Sequence, residues 1–307
     1  MKKLIVMRGL PGSGKSTEAK KIRSELIAQG WEAFRINRDL LRTMLHFGEW
    51  NPKNEGATMD SQMAVVRALL EKPHNGKNRA VIIDDSNLTD RHLERWQNVA
   101  KEFKSEYVLN DMGTPLDICI ERDAKRPDGE RVGRIKITEM AMVSGLLPEG
   151  TKLIVSDLDG TIAGISHRLH FVKGREKKDW NGFFGAISGD SLRKEVLAQV
   201  LEEYAKAEYE AVDGERVYKI LFSARPERTR EDTEAWLEKE GVLSEFDTLI
   251  MRPDGDSRQD DEMKRLMYDR FLKRYNVVKI FDDRPRVINV WKELGLDVVD
   301  VGPGIDF

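Results

Sequence analysis

A single cysteine, Cys119, stands in 307 residues. No disulfide can form within one chain, and a reducing compartment is the expected setting. Long apolar runs are missing as well. The run Leu4-Ile5-Val6 directly follows Met1-Lys2-Lys3 and is far too short for a signal peptide or a membrane span. A cytoplasmic protein with no membrane partner is therefore expected. Internal repeats and low-complexity tracts are absent, which sets aside solenoids and compositionally biased linkers. Charge of one sign is missing too: 51 Lys and Arg face 54 Asp and Glu, for a formal net charge of −3. Any nucleic-acid binding must then rest on local basic patches rather than on a global field. Histidine is scarce. His167 and His170 are three apart, but no Cys or further His lies near enough to complete a zinc set.

What is present is a balanced, core-forming composition, 40% hydrophobic and 34% charged. At roughly 150 residues per domain, the length favours two domains. The short stretch Leu147-Pro148-Glu149-Gly150-Thr151 reads as the linker, giving domains 1–148 and 149–307.

The first half opens with an apolar strand, Leu4 to Met7, followed by Gly9-Leu10-Pro11-Gly12-Ser13-Gly14-Lys15-Ser16-Thr17. This fits the P-loop pattern G-x-x-x-x-G-K-[ST] without a mismatch. Its glycines let backbone N–H groups turn inward around phosphate oxygens, and the following helix aims its positive end at them. Gly12, Ser13, Gly14 and Thr17 complete the cradle. Lys15 is placed to neutralise the β/γ-phosphates and Ser16 to ligate Mg²⁺. A second strand, Ala33 to Ile36, ends in Asn37-Arg38-Asp39. Ligands of open α/β sheets bind at the carboxyl ends of strands, so Asp39 is placed to take a proton from an acceptor hydroxyl. The competing reading of Asp39 is a plain helix N-cap. Arg42, three residues on, shares its helix face and can grip an anionic acceptor. A third strand, Val81 to Ile83, ends in Asp84-Asp85, read as a metal-linked and an orienting carboxylate. A loop is expected at Pro73–Gly76, and His92 is expected to be solvated. The basic Pro/Gly loop Arg122 to Arg131 reads as a lid, with Arg122 and Arg126 on the ATP phosphates.

The second half begins with strand Leu153-Ile154-Val155 and then Asp157-Leu158-Asp159-Gly160-Thr161. Two carboxylates one residue apart at a buried strand end point the same way and need a cation, for which Mg²⁺ is the natural choice. One can attack phosphorus while the other handles protons. The stretch His167 to Phe184 reads as a flap or small cap. The strand Val217 to Phe222 ends in Ser223-Ala224-Arg225, where a hydroxyl can hold a phosphoryl oxygen and Arg225 adds charge. Lys264 is a candidate phosphate clamp. Strand Val277 to Phe281 ends in Asp282-Asp283, a second acidic pair for the Mg²⁺ site.

These residues carry two resemblances. DLDGT at 157–161, Ser223, Lys264 and Asp282-Asp283 make the second half similar to haloacid-dehalogenase-type phosphotransferases. The whole chain resembles the bifunctional polynucleotide 5′-kinase/3′-phosphatases of T4-type bacteriophages. GLPGSGKST, INRDLLR at 36–42, IIDDSNL at 82–88, the Arg122–Arg126 lid, SARPE at 223–227 and FDDR followed by WKELG carry that likeness. It implies an α/β protein of two domains. The first would be an N-terminal P-loop kinase with a parallel sheet, the second a C-terminal haloacid-dehalogenase-like Rossmannoid phosphatase. The kinase would use ATP or another NTP with Mg²⁺, taking Asp39 as general base on a 5′-hydroxyl. Arg42 would contact the adjacent phosphate, Asp85 would orient Arg42, and Arg122 and Arg126 would clamp ATP. In the phosphatase, Asp157 would form the aspartyl-phosphate and Asp159 would be the acid/base. Ser223, Arg225 and Lys264 would hold the phosphate, and Asp260 would steady Lys264. Asp157, Asp159 and Asp282 would hold the metal, with Asp283 beside them.

The implied substrates are RNA or DNA ends bearing 5′-OH or 3′-phosphate, healed before a ligase acts in RNA or DNA repair. A homo-oligomer, a tetramer, in the cytoplasm of a phage-infected host is also implied. The stretch His167 to Phe184 departs from the T4-type pattern. A small-metabolite kinase fused to a small-molecule phosphatase is the competing function.

Overall fold

The computed structural model describes residues 1–49, 51–71, 76–212 and 214–302. The expected loop at Pro73–Gly76 lies outside them except for Gly76. The chain forms two compact units, Met1–Gly133 and Arg134–Phe307. Among the described residues, no helix is long and apolar enough to cross a membrane.

The first unit runs β1 (Lys2–Arg8), α1 (Lys15–Ala28), β2 (Glu32–Ile36), α2 (Arg38–His46), α3 (Pro52–Glu71), β3 (Arg79–Ile83), α4 (Asp90–Glu102), β4 (Glu106–Asp111) and α5 (Leu116–Ala124). Its strands make one sheet in the order β2-β3-β1-β4, every pair parallel. Alternation along β1 explains how both faces are covered. Leu4 and Val6 pack with Val81, Ile83, Trp96 and Val99, whereas Ile5 and Met7 pack with Ala19, Ala33, Ala80 and Ile82. Val6 lies opposite Ile83 and Leu109, and Ile36 lies opposite Ile83. The register therefore brings the P-loop, Asn37-Arg38-Asp39 and Asp84-Asp85 to one carboxyl edge.

The second unit runs α6 (Arg134–Val143), β5 (Lys152–Ser156), β6 (Ala163–Gly164), α7 (Trp180–Gly185), β7 (Ser191–Leu192), α8 (Lys194–Tyr209), β8 (Tyr218–Pro226), α9 (Arg230–Lys239), β9 (Thr248–Arg252), α10 (Asp260–Phe271), β10 (Asn276–Asp282), α11 (Pro285–Glu293) and β11 (Val298–Asp300). Five strands form a parallel sheet in the order β11-β10-β5-β8-β9. β5 is central, so its carboxyl end lies between those of β10 and β8. That topology alone gathers Asp157, Asp282-Asp283 and Ser223-Ala224-Arg225.

Two features bear on the sequence reading. α6 packs against β9 of the second unit, with Ile137, Thr138, Ala141 and Met142 buried. Thr248 Oγ1 donates to the Ile135 carbonyl at 3.0 Å and Tyr275 Oη donates to that of Met142 at 2.8 Å. The division by compactness thus falls one helix before the expected linker. The stretch after Asp159, expected as a flap or a small cap, is ordered rather than open. β6 and β7 pair antiparallel, a 3₁₀ turn spans Ser166–Phe171, and Arg168, Leu169, Phe183 and Ile187 are buried. Apolar side chains and a buried ion-pair network tie this segment down.

Candidate active sites

The first site is built on backbone. Gly12 has φ +80°, and a Cβ there would fall 2.2 Å from the Cys119 carbonyl oxygen, so only glycine fits over α5. Gly14, also left-handed, caps α1 without any side-chain hydrogen bond. The first N–H groups of α1 are left for an anion. Lys15 Nζ donates to the Leu10 carbonyl at 2.7 Å and lies 3.4 Å from Ser13 Oγ. Burial lowers its pKa, while Asp84 pulls it back up. A phosphate would supply the counter-charge that burial calls for. Ser16 and Thr17 are exposed at the start of α1. The Arg122 guanidinium lies near Gly14, and Arg126 lies 3.6 Å from buried Asp123.

Asn37, not Asp39, caps α2: its Oδ1 accepts from Leu40 N at 3.0 Å and its Nδ2 donates to the Asp84 carbonyl at 2.6 Å. Asp39 is thereby released from capping, and its side chain is 82% exposed. Arg42 pairs with Asp39 at 2.7 Å and forks onto Glu55 at 2.7 and 3.1 Å. The Glu55 hydrogen bond is the main reason its pKa is raised. Asp85 has other partners than Arg42: it accepts from Arg38 N at 2.9 Å and Gln62 Nε2 at 2.6 Å. Asp84 is buried against Arg35 at 2.5 Å, and its Oδ1 has no hydrogen-bond partner among the described residues. His92 is half-buried rather than solvated, and burial, then the charge of Arg38, lowers its pKa.

The second site is a cluster of acids. Ligand atoms of buried Asp157, Asp282 and Asp283 lie within 4.8 Å of one another. Asp157 N donates to the Phe281 carbonyl at 2.9 Å, which locks β5 against β10. Gly160 turns the chain with φ +86°, and a Cβ there would meet Asp283 Oδ2 at 2.1 Å. Burial first, then the Asp157 charge, pushes Asp282 up to about 7 and Asp283 to about 8. A close-set, oxygen-only, charge-starved donor set fits a hard divalent cation. Lys264 Nζ donates to Asp157 Oδ1 at 2.6 Å and to the Phe222 carbonyl.

Asp159 lies outside this trio. Burial would raise its pKa, but Arg168 and Arg225 hold it well below the usual range. Arg168 reaches Asp159 Oδ1 at 2.6 Å and Arg225 reaches it at 2.5 Å. Both arginines also bind Asp190, at 2.6 Å each. Arg225 is therefore spent on carboxylates and Thr233. Ser223 Oγ accepts from Arg225 N at 3.1 Å. Asp260 binds Arg252 at 2.5 Å and Arg284, rather than Lys264. Arg168 and Asp190 escaped the sequence reading because neither follows an apolar strand run. A cleft of about 620 Å³ opens over Asp157, Asp159, Lys264 and Asp282.

A phosphate-cradle loop on one parallel sheet and an acid cluster on another define an α/β protein of two units, each with a site at the carboxyl edge of its sheet. Residues 151–307, just over half the chain, match the family model of the polynucleotide kinase PNKP phosphatase domain, and the chain belongs to that family. Residues 4–144 match an AAA domain model. A relative from Autographa californica nuclear polyhedrosis virus, named for polynucleotide kinase and RNA ligase, is 26% identical over 97% of this chain. This chain spans 42% of that relative's length. The bifunctional polynucleotide phosphatase/kinase of Schizosaccharomyces pombe is 30% identical over 33% of this chain and 19% of its own length. A solved chain of the Pnkp1/Rnl/Hen1 RNA repair complex is 25% identical, with 99% of this chain and 97% of that one covered and a TM-score of 0.39.

Proposed function

We propose that the protein heals nucleic-acid ends, phosphorylating 5′-hydroxyls with its residues 1–148 and removing 3′-phosphates with residues 149–307. The observation that carries this reading is the pairing of opposite chemistries in one chain. A P-loop shares one carboxyl sheet edge with Asp39, which Arg42 grips, and an aspartate nucleophile stands 2.6 Å from Lys264.

In the kinase, the P-loop backbone and Lys15 hold the phosphates of ATP, and Ser16 would hold the Mg²⁺ that accompanies them. Asp39 accepts the proton of the 5′-hydroxyl as its oxygen bonds to the γ-phosphorus and ADP departs. Arg42 holds the acceptor's neighbouring phosphate, and Arg122 and Arg126 close on the donor. Positioning and charge neutralisation supply most of the rate. In the phosphatase, Asp157 Oδ attacks phosphorus and the 3′-oxygen leaves with a proton from Asp159. Water then attacks phosphorus, the Asp157 O–P bond breaks to free the carboxylate and inorganic phosphate, and the water's proton passes to Asp159. Arg168 and Arg225 favour the ionised form of Asp159, which suits its role as base in this second step and opposes its role as acid in the first. Lys264 and Ser223 hold the phosphoryl oxygens. Asp157, Asp282 and Asp283 would hold a divalent cation such as Mg²⁺, which when bound offsets the charge of the cluster and of the phosphate.

The products are 5′-phosphate and 3′-hydroxyl ends, the pair that a ligase joins in RNA or DNA repair. Cytoplasmic placement, read from the single cysteine and the short apolar runs, and a homo-tetramer, implied by the T4-type resemblance, belong to the same proposal. The test is end-labelling of 5′-OH RNA and DNA with γ-labelled ATP, and phosphate release from 3′-phosphate strands. Lys15→Ala should abolish labelling and spare release, and Asp157→Ala should do the reverse. Turnover of a sugar or nucleoside with no labelled ends would overturn the reading in favour of a metabolite enzyme.

A further inference from the structure

The basic loop that follows α5 in the first unit has one buried residue at its root. Of residues 121–133, Asp123 alone is buried, at 1% exposure, while Arg126 is half-buried and the rest are exposed. An aspartate is rarely buried unless its oxygens are engaged.

The bonds of Asp123 close the loop on itself. It lies in the last turn of α5, and its Oδ2 accepts from Val132 N at 3.0 Å and from Gly133 N at 2.9 Å. Two successive N–H groups on one anionic oxygen make charge-assisted bonds, the stronger kind. The Asp123 carbonyl accepts from Arg126 N at 3.0 Å. Inside this ring Arg131 Nε donates to the Arg126 carbonyl at 2.7 Å, and Glu130 N donates to that of Pro127 at 3.1 Å. Both backbone groups of Arg126 are thereby fixed. Its side chain is not spent: Arg126 Nε lies 3.6 Å from Asp123 Oδ1, and that oxygen has no hydrogen-bond partner among the described residues. Burial is the main reason that the Lys15 pKa is lowered, and the Arg126 charge adds to it, so the loop's cation lies within electrostatic reach of the P-loop.

A lid that brings a cation to phosphates has to fix its backbone and leave the guanidinium free. We propose that Asp123 is the positioning residue of this lid. By tying Val132 and Gly133 to the end of α5, it sets the direction from which Arg126 meets the donor phosphates. Asp123 touches no substrate and acts only through Arg126. Without the tie the lid samples other conformations, and the entropy of ordering it falls on nucleotide binding. This inference rests on the kinase reading above.

The test is titration of the full chain with ATP and Mg²⁺ in the absence of an acceptor strand. Asp123→Ala should weaken binding by about 10-fold, the size of one charge-assisted contact. In an Arg126→Ala background the same change should weaken binding by less than about 2-fold, because Arg126 is what Asp123 positions. Asp123→Asn keeps the side-chain volume and an acceptor oxygen for the two N–H groups, and should bind within about 3-fold of wild type. An equal loss in both backgrounds would make Asp123 merely structural and overturn the proposal. So would an Asp123→Asn variant that binds as weakly as Arg126→Ala, a comparison that holds even where Asp123→Ala fails to fold. Wild-type protein that binds no ATP and labels no 5′ end would instead sink the kinase reading itself.

Discussion

Asp282 and Asp283 are adjacent carboxyls whose pKa values are raised to about 7 and about 8 by burial and by the Asp157 charge. Their ordinary value is about 4. Between about pH 4 and 8 the folded chain therefore holds protons that the unfolded chain has released. Stability without metal falls as pH rises through that window. A divalent cation reverses the sign by stabilising the ionised cluster. In chelator, the second unit should melt lower at about pH 8 than at about pH 5, and millimolar Mg²⁺ should recover the loss at the higher pH. Asp282→Asn should flatten both effects, and a melting temperature indifferent to Mg²⁺ would count against the site. The residues of this cluster were legible because DLDGT and the second acidic pair each end an apolar strand. The arginines that hold Asp159 were not. Arg168 comes from a polar, aromatic stretch without period, and nothing local marks it as buried 9 residues from its partner. Asp260 and Asp85 were seen, but spacing could not reveal that Arg252 and Arg38 claim them.

The elements that place these residues were read in proportion to their apolar runs. β1, β3, β5 and β10 carry continuous buried stretches and were placed from the sequence. β6 and β7 have two residues each and no pattern to detect. The start of α2 shows how a cap sets chemistry. Asn37 satisfies Leu40 N and also ties β2 to the strand end after β3 through the Asp84 carbonyl. Asn37→Ala should cost about 1 kcal/mol for the cap, and more for the unsatisfied Asp84 carbonyl. Asn37→Asp keeps an acceptor for Leu40 N but sets a carboxylate against that carbonyl, so it should not rescue. Both variants should reduce 5′-end labelling while phosphate release stays at the wild-type level. Full labelling by Asn37→Asp would show that the link to Asp84 is dispensable.

At the scale of the whole chain, the two parallel sheets followed from the order of strands and helices, but the place where one unit ends did not. α6 has an apolar pattern that suits either neighbour, and only its contacts assign it. Arg134 bonds the Ser244 carbonyl at 3.1 Å, the Ile135 carbonyl accepts from Thr248, and that of Met142 accepts from Tyr275. Ile137 and Met142 are buried to 0 and 1% exposure. Burial of two such side chains contributes about 3–6 kcal/mol, equivalent to a melting shift on the order of 10 °C for a unit of this size. A fragment spanning 134–307 should therefore melt that much higher than one spanning 149–307, measured by calorimetry in the same buffer. The shorter fragment should also bind a hydrophobic dye where α6 has been stripped from β9. Equal melting temperatures would mean that α6 adds nothing to the second fold, and that its packing on β9 does not define the unit.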